Sequence, residues 1–246
     1  SSPTELKQAL RPIAQVLHAL HPLPAAWRQL VEFAATYYQR SVGELALSVL
    51  PPELRRLDNT QLEKRVARLA GWRMGTAEPD PALPLNAEQQ AALGALAAAS
   101  EPPTATLLHG VTGSGKTEVY LHAAARTLAA GRQVLVLVPE INLTPQLQAR
   151  FARRFAAHTL VSLHSALTPA QRLRHWLLAH LGRADLVLGT RLAVFASLPQ
   201  LGLIVVDEEH DASYKQQEGA RYSARDLAVY RGRVEQVPVL LGSATP

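Results

Sequence analysis

The sequence predicts an α/β fold, in which a parallel β-sheet has helices on both faces and is preceded by a small, mainly helical segment. Two observations predict the sheet. From residue 103 onward, short apolar runs alternate with longer stretches of helical periodicity, as in βαβ units. The runs are also continuous in apolar character, which indicates strands that are covered on both faces. The first 80 residues show helical periodicity instead.

Prolines divide the amino-terminal part of the chain. Ahead of the proline-rich stretch 76–86, residues 27–38 place apolar side chains at helical spacing, and residues 59–68 predict a short charged helix. The stretch 76–86 itself predicts a linker. The alanine-rich residues 91–99 that follow predict another helix.

The predicted strands share short runs of Val, Leu and Ile. They are residues 105–109, 134–138, 159–163, 185–189, 203–207 and 239–242. Helical stretches such as residues 118–130 and 144–155 lie between them, so each strand can return to the sheet in parallel.

Composition excludes several classes of protein. Apolar residues make up 48% of the 246 residues and charged residues 18%, which is far from the composition of disordered chains. The absence of cysteine excludes disulfides and thiolate metal sites, so we expect any metal to be bound by oxygen. No apolar run is long enough to predict a membrane span. The net charge of +5 favours an anionic partner such as nucleic acid.

The motif GVTGSGKT lies directly between the first predicted strand and the next helix, the context in which GxxxxGK(S/T) binds phosphates. Glycines let backbone N–H groups point at phosphate oxygens, beside the helix N-terminus. We expect Lys116 to reach the β- and γ-phosphates of ATP and the Thr117 hydroxyl to bind Mg²⁺. The alternative is a glycine-rich tight turn. The predicted nucleotide-binding loop comprises Gly110, Val111, Thr112, Gly113, Ser114, Gly115, Lys116 and Thr117.

An acidic motif, DEEHD, follows the fifth predicted strand. Asp207 is expected to complete the Mg²⁺ site, because the carboxyl end of this strand faces the phosphate loop in such sheets. Glu208 is then placed to orient and deprotonate the attacking water, and His210 to relay nucleotide state to neighbouring motifs. The alternative is a solvated acidic turn.

Two weaker signals complete the candidate site. In GSATP, the hydroxyls of Ser243 and Thr245, on either side of Ala244, are expected to hydrogen-bond to the carboxylates of the acidic motif and couple it to neighbouring elements; a helix cap is the alternative. The amide of Gln89 can donate and accept one hydrogen bond each, which matches the edge of adenine, although a single Gln is weak evidence.

In chain order, Gln89, GVTGSGKT, PEINLTPQ, GTRLAVF, DEEHD and GSATP resemble the motifs of the first motor lobe of superfamily 2 helicases. The long segment DEEHDASYKQQEGARYSARDLAVYR is more closely similar to the family of primosomal replication-restart helicases. The resemblance implies a P-loop NTPase (RecA-like) lobe over residues 85–246. Residues 27–56 are similar to the end of that family's amino-terminal DNA-binding domain, so residues 1–56 are expected to be its remnant and residues 57–84 a linker with a short helix.

The resemblance also implies DNA contacts. It assigns to the DNA strand two loops, one with Pro139 and Glu140 and one with Gly189, Thr190 and Arg191. Backbone amides, hydroxyls and Arg side chains hold phosphates without selecting sequence. Arg191 taken alone also fits an ordinary surface loop.

A second implied DNA contact is the family's aromatic-rich loop, which couples DNA contact to ATP hydrolysis. Here it supplies two rings that can stack on bases and three cationic side chains. These are Tyr214, Lys215, Arg221, Tyr222 and Arg225. Relatives have a large aromatic residue where Ala220 stands, and this departure bears on the strength of DNA-coupled ATP hydrolysis. The alternative is a mobile surface loop.

As a whole, the resemblance implies an ATP-dependent DNA helicase that moves 3′ to 5′, recognises forked and single-stranded DNA and begins primosome assembly in the bacterial cytoplasm. Single-stranded DNA-binding protein and other primosome proteins are its implied partners. The second motor lobe, which supplies an arginine finger, and a zinc-binding cysteine cluster are absent from these 246 residues. We therefore expect part of a longer protein, inactive by itself.

Two alternatives stay open. One is another superfamily 2 translocase, such as a recombination or restriction motor, which fits the core motifs but not the long segment around DEEHDASYKQQEG. The other is a non-enzymatic module that binds forks and recruits a helicase loader. Strand separation that depends on ATP distinguishes a helicase from such a module.

Overall fold

The structure is a computed structural model that describes residue 13 and residues 15–72, 80–98 and 105–244. Within this part of the chain the strands are β1 (Ala105–His109), β2 (Gln133–Leu137), β3 (Leu160–Leu163), β4 (Leu186–Gly189), β5 (Leu201–Val206) and β6 (Val239–Ser243). They form one sheet in the order β1-β6-β5-β2-β4-β3. Every neighbouring pair is parallel, as the sequence predicts.

Helices precede the sheet and connect its strands. They are α1 (Ala25–Tyr37), α2 (Val42–Val49), α3 (Asn59–Arg68), α4 (Ala87–Ala98), α5 (Lys116–Ala129), α6 (Pro145–Arg154), α7 (Pro169–His180) and α8 (Ala224–Glu235). Local sequence explains several of their starts. The Asp58 carboxylate caps α3. The Thr144 hydroxyl caps α6 and the Thr168 hydroxyl caps α7, and both of these helices have proline in their first turn.

Helices cover both faces of the sheet, which confirms the predicted α/β fold. Successive residues of a strand point to opposite faces. Leu135 and Leu137 of β2 belong to an apolar cluster with α7 and α8, whereas Val134 and Val136 belong to a second cluster with α5 and α6. All residues of the four strands β2 to β5 are buried, as their continuous apolar runs predict.

The prediction that strands are covered on both faces is wrong for β1. Its residues alternate between exposed and half-buried, and Leu107 is 55% exposed. An edge position alone does not explain this, because β3 lies at the other edge of the sheet and is fully buried. The difference lies in the helices: α7 packs on β3, whereas among the described elements β1 packs chiefly against β6. An apolar run does not reveal which strand a helix will cover.

The amino-terminal helices pack on the α7–α8 face of the sheet. The buried Trp27 indole N–H donates to the carbonyl of Phe195 at 2.7 Å. On the same side, His180 lies 2.9 Å from the carbonyl of His21, and the Phe33 ring stacks on Tyr230 with 3.7 Å between centroids. Their apolar side chains join the cluster that includes β2 and α7. The domain boundaries at residues 56 and 84 stay predictions, and residues 1–12 lie outside the described part.

The predicted helices agree with the structure except at their ends. The helix predicted at 91–99 begins four residues earlier in the structure, where Asn86 and Gln89 exchange side-chain to backbone hydrogen bonds. Its residue 99 lies outside the described residues, as do residues 76–79 of the predicted linker. None of the helices in the described ranges is long and apolar enough to cross a membrane.

Candidate active site

The predicted site residues meet at the carboxyl ends of β1, β5 and β6, which are neighbours in the sheet. The loop after β1 is joined to β6 by a hydrogen bond from the Gly110 N–H to the Ser243 carbonyl at 3.0 Å. The acidic turn after β5 is joined to β6 by a bond from the Glu209 N–H to the Gly242 carbonyl at 2.8 Å. The phosphate-loop motif, DEEHD and the start of GSATP therefore form one edge.

The glycine-rich loop turns sharply into α5. Gly113 and Gly115 both have φ of +84°, a left-handed conformation that favours glycine. Gly115 is the residue before the helix, so the first backbone N–H groups of α5 are directed at the mouth of the loop. This is the geometry in which a helix N-terminus binds phosphate oxygens.

Lys116 places its ammonium in the mouth of this loop. The side chain is 8% exposed, and Nζ donates to the carbonyl of Gly110 at 2.6 Å. Nζ also lies 3.6 Å from Oε1 of Glu208. A buried ammonium needs such partners, and phosphate oxygens bind it more strongly than neutral carbonyls do. The ammonium is thus positioned to exchange a carbonyl for a phosphate.

Asp207 is held from two sides by tyrosine hydroxyls. Tyr120 of α5 donates to its Oδ1 at 3.0 Å, and Tyr214 donates to its backbone carbonyl at 2.6 Å. Burial raises the pKa of the Asp207 carboxyl, and the Tyr120 hydrogen bond opposes that rise. Gly242 makes the arrangement possible, because a Cβ there would overlap the Tyr120 hydroxyl.

Glu208 stands at the centre of a polar chain. Its φ of +45° is uncommon for a residue with a side chain, and it turns the carboxylate toward both neighbours. Oε1 faces Lys116, and Oε2 lies 3.8 Å from Nε2 of His210. Nδ1 of His210 is in turn 3.2 Å from the Ser243 hydroxyl. The Ser243 hydroxyl thus lies beside the His210 ring, and its predicted hydrogen bond to a carboxylate of DEEHD stays a prediction. Ala244 follows β6, and Thr245 lies outside the described residues.

Gln89 contacts the phosphate loop rather than standing free beside it. Its Nε2 donates to the carbonyl of Ser114 at 3.3 Å, and its Oε1 accepts from the Asn86 N–H at 3.0 Å. Both ends of the amide are thus engaged within the chain. Its predicted role at adenine stays a prediction that requires these hydrogen bonds to be exchanged.

The residues present fit ATP with Mg²⁺. Mg²⁺ prefers oxygen ligands and keeps several waters. Thr117, half-buried in the first turn of α5, offers a hydroxyl, and Asp207 offers a carboxylate at the same edge of the sheet. The buried Lys116 ammonium and the open N-terminus of α5 supply the positive groups that a triphosphate needs.

The loops predicted to meet DNA lie at the carboxyl ends of β2 and β4 and contact each other. Glu140 accepts a hydrogen bond from the Ser165 hydroxyl, and its Oε2 lies 3.5 Å from Nη1 of Arg191. Gly189 is required here because a Cβ would overlap Ala193. Pro139 precedes this contact as the residue before a short 3₁₀ turn, and Thr190 is buried.

The aromatic-rich loop is closed in this structure. Tyr214 is 2% exposed and Tyr222 is 5% exposed, with the Tyr222 ring packed edge-on against Phe195. Lys215 and Arg221 are exposed. Base stacking on the two rings stays a prediction, and it requires the loop to open.

Arg225, the remaining cation of this loop, is paired. Its Nη1 lies 3.1 Å from Oε2 of Glu209, and its Nε lies 2.8 Å from Oδ1 of Asp226. These hydrogen bonds raise the pKa of the Arg225 guanidinium. The loop and the acidic motif are thus joined by an ion pair.

Sequence reasoning missed three residues that organise this region. Tyr120 binds Asp207, Gln216 accepts from Nε of Arg191 at 2.6 Å, and Arg40 donates to the carbonyl of Gly219 at 2.8 Å. Tyr120 lies one helical turn after Lys116, which is a weak signal that it faces the same edge. Nothing in the local sequence marks Arg40 or Gln216.

The family described as "DEAD/DEAH box helicase" matches residues 86–246, more than half of the chain. The solved structure of RecG bound to a three-way DNA junction superimposes with a TM-score of 0.52 at 21% identity, over 89% of this chain and 27% of that chain. This second likeness concerns the fold.

Several curated proteins named Replication restart protein PriA are similar in sequence. That of Haemophilus influenzae is 55% identical over 140 residues, which is 57% of this chain and 19% of that protein. That of Bacillus subtilis is 46% identical over 166 residues, 67% of this chain and 20% of that protein. That of Helicobacter pylori is 42% identical over 218 residues, 89% of this chain and 32% of that protein. This chain therefore spans between about a fifth and a third of the length of these relatives.

Proposed function

This chain belongs to the DEAD/DEAH box helicase family, and we propose that it forms the ATP-binding first lobe of a replication-restart DNA helicase. The likeness to PriA proteins supports the biological role. The complete protein then couples ATP hydrolysis to 3′–5′ movement on forked or single-stranded DNA in the bacterial cytoplasm. Single-stranded DNA-binding protein and other primosome proteins are its proposed partners.

The observation that carries this proposal is the polar chain at the sheet edge. It runs from Lys116 through Glu208 and His210 to Ser243, with Asp207 beside it. The residues proposed to bind phosphate, metal and water thereby share one edge of the sheet with a segment that leads away from it. A glycine-rich turn or a solvated acidic turn does not require a buried ammonium or a half-buried carboxylate.

The residues divide the work of hydrolysis. Lys116 and the N-terminus of α5 bind the phosphates, and Thr117 and Asp207 hold Mg²⁺. When bound, Mg²⁺ neutralises the charge that develops on the phosphates. Glu208 orients the attacking water and accepts its proton, which needs an ionised carboxylate within hydrogen-bond reach. The Glu208 carboxylate lies 3.6 Å from the Lys116 ammonium, so the proposed base stands beside the proposed phosphate ligand.

The proposed DNA strand lies across the carboxyl ends of β2 and β4. Thr190, Arg191 and the amides of both loops offer phosphate contacts that do not depend on base sequence. Lys215, Arg221 and Arg225 add charge, so binding should weaken steeply as salt rises. The amino-terminal residues 1–56 are proposed to contribute fork recognition.

Nucleotide binding tests the site assignment. A fluorescent ATP analogue is titrated with Mg²⁺ present into the 246-residue chain, its Lys116→Ala variant and a Lys64→Ala control. Lys64 is an exposed lysine on α3, so its loss removes the same charge away from the cleft. Loss of the charge-assisted contacts should weaken binding by more than about tenfold in Lys116→Ala alone. Equal affinity in all three proteins would refute the assignment.

Hydrolysis requires a separate test in the full-length protein. Glu208→Gln keeps the size of the side chain but removes the proton acceptor, so nucleotide binding should persist while turnover falls by at least about a hundredfold. Salt-sensitive fork binding without any ATP-dependent strand separation by the unaltered protein would instead favour the non-enzymatic module.

A further inference from the structure

The 213–223 loop is folded back on itself. Lys215 and Ser223 form an isolated antiparallel bridge, and the Gln216 N–H donates to the Tyr222 carbonyl at 2.8 Å. Gly219, with φ of +64°, forms the tip of the loop. A Cβ at this glycine would have nothing within 4 Å, so packing does not hold the tip in place.

The amino-terminal segment holds this loop at two points. The Ser223 N–H donates to the Tyr38 hydroxyl at 3.0 Å, and Arg40 donates to the Gly219 carbonyl at 2.8 Å. Tyr38 and Arg40 follow directly after α1 and are more than 170 positions away from their partners in the chain. One tether therefore fixes the base of the loop and the other fixes its tip.

In this closed state, groups that are proposed to meet DNA have partners within the chain. Arg191 donates to Oε1 of Gln216 and, at 3.2 Å, to the carbonyl of Ser213. Tyr222 is buried, and the hydroxyl of the buried Tyr214 binds the carbonyl of Asp207. The loop thus contacts the backbone of Asp207, the residue whose carboxylate is proposed to hold Mg²⁺.

Arg40 is the tether that an external anion can reach. Its side chain is 41% exposed, and its ion pair with Glu44 is long at 3.8 Å. It lines a groove of about 450 Å³ with Arg172 and Arg191. Three carboxylates line the same groove, those of Glu44, Glu140 and Glu218. The Nε of Arg172 is buried and has no hydrogen-bond partner among the described residues. Buried N–H groups normally have an acceptor, so the arginine side of the groove offers a donor to a phosphate oxygen.

From these contacts we infer that Tyr38 and Arg40 are positioning residues that hold the 213–223 loop closed, and that a DNA phosphate opens it by replacing the Gly219 carbonyl on Arg40. A phosphate oxygen is a stronger acceptor for a guanidinium than a neutral carbonyl is. Once the tip is free, the loop can release Arg191 and expose Tyr222. The inference rests on the proposed DNA-binding function.

Hydrogen exchange of the Gln216 amide reports loop closure, because its partner is Tyr222 and neither tether contacts it. Exchange is followed by mass spectrometry in the 246-residue chain and in Arg40→Ala and Tyr38→Phe. Loss of one ordinary hydrogen bond should speed exchange roughly fivefold. Arg28→Ala and Tyr37→Phe are matched controls, since both residues are exposed on α1, and they should leave exchange unchanged.

Oligothymidylate provides the second arm of the test. It should speed Gln216 exchange in the unaltered chain. In Arg40→Ala, where the tip of the loop is already free, it should increase the exchange rate much less. Unchanged exchange in both tether variants would overturn the inference, as would bound oligothymidylate that leaves exchange unchanged.

Nucleotide binding measured on the same samples separates the two proposals. If the unaltered chain does not bind the ATP analogue but both tether variants show faster Gln216 exchange, the proposed ATP site is refuted and the inference about the tethers stands. If the chain binds the analogue but neither tether variant changes the exchange, the inference about the tethers is refuted and the proposed ATP site stands.

Discussion

Removing the Tyr120 hydroxyl should weaken Mg²⁺-dependent nucleotide binding, although Tyr120 is not expected to touch nucleotide or metal. The ring is 1% exposed and packs against Gly242, and its hydroxyl donates to Oδ1 of Asp207 at 3.0 Å. Burial raises the pKa of the Tyr120 phenol, so the hydroxyl remains a donor at neutral pH. Tyr120→Phe removes the donor and keeps the ring.

The magnitude follows from the character of this hydrogen bond. A hydrogen bond to a charged group stabilises it by about 1.5–3 kcal/mol, and the half-buried Asp207 carboxylate has limited access to water as a replacement. Its loss should therefore reduce Mg²⁺ affinity by roughly 10- to 100-fold. Since burial already raises the pKa of Asp207 and the lost bond opposed that rise, the pKa should rise further.

The assay is a Mg²⁺ titration of ATP-analogue binding at several pH values. Mg²⁺ requires the ionised carboxylate, so its affinity falls as the pH falls through the pKa of Asp207, and in Tyr120→Phe this fall should begin at a higher pH. Tyr230→Phe is the matched control, because Tyr230 stacks on Phe33 on the amino-terminal helix α1. The same Mg²⁺ dependence in Tyr120→Phe and the unaltered chain at every pH would refute the reasoning.

Three further predictions concern stability. Asp207→Asn should raise the Tm of the nucleotide-free chain at pH 7, because a carboxyl whose pKa is raised by folding loses stability as the pH rises; at pH 3 the difference should vanish. Burial lowers the pKa of His180, so its stabilising contribution is present above a pH of about 6.5 and is lost as the pH falls below that value. The free energy of unfolding in urea should therefore fall at low pH, and this fall should be smaller in His180→Asn. Trp27→Phe leaves the Phe195 carbonyl without its donor and should cost about 1–3 kcal/mol in urea unfolding, whereas an unchanged midpoint would contradict the assigned contact.

The predicted parallel sheet came from the continuous apolar runs, and the structure confirms it because burial on both faces leaves that pattern in the residues themselves. The glycine-rich turn between β1 and α5 could also be predicted from the sequence, and its binding of phosphate stays a prediction. Its glycines, Lys116 and Thr117 are adjacent in the chain, and local backbone geometry arranges them. The exposure of β1 could not be predicted from its apolar run, since it depends on which strands the helices cover: β1 and β3 are both edge strands, and only β3 is buried.

Contacts between side chains from distant parts of the chain could not be predicted from the sequence. The two tyrosines of the aromatic-rich loop were predicted to offer faces to bases, yet this structure buries both. A tyrosine has an apolar ring and a polar tip, so its residue type fits a stacking platform and a packed core alike. Whether a tyrosine side chain is exposed for stacking or buried in the core depends on what packs against it.

The sequence by itself determined the α/β class, the order of the elements and the place of the glycine-rich turn before α5, because each depends on the periodicity or adjacency of residues. Only the tertiary structure decided that Tyr120 holds Asp207, from 87 positions away, and that Arg40 holds Gly219, from 179 positions away. Such pairs form because the sheet and the helices around it fix the backbone first. No local pattern records which side chains the packed elements then bring together.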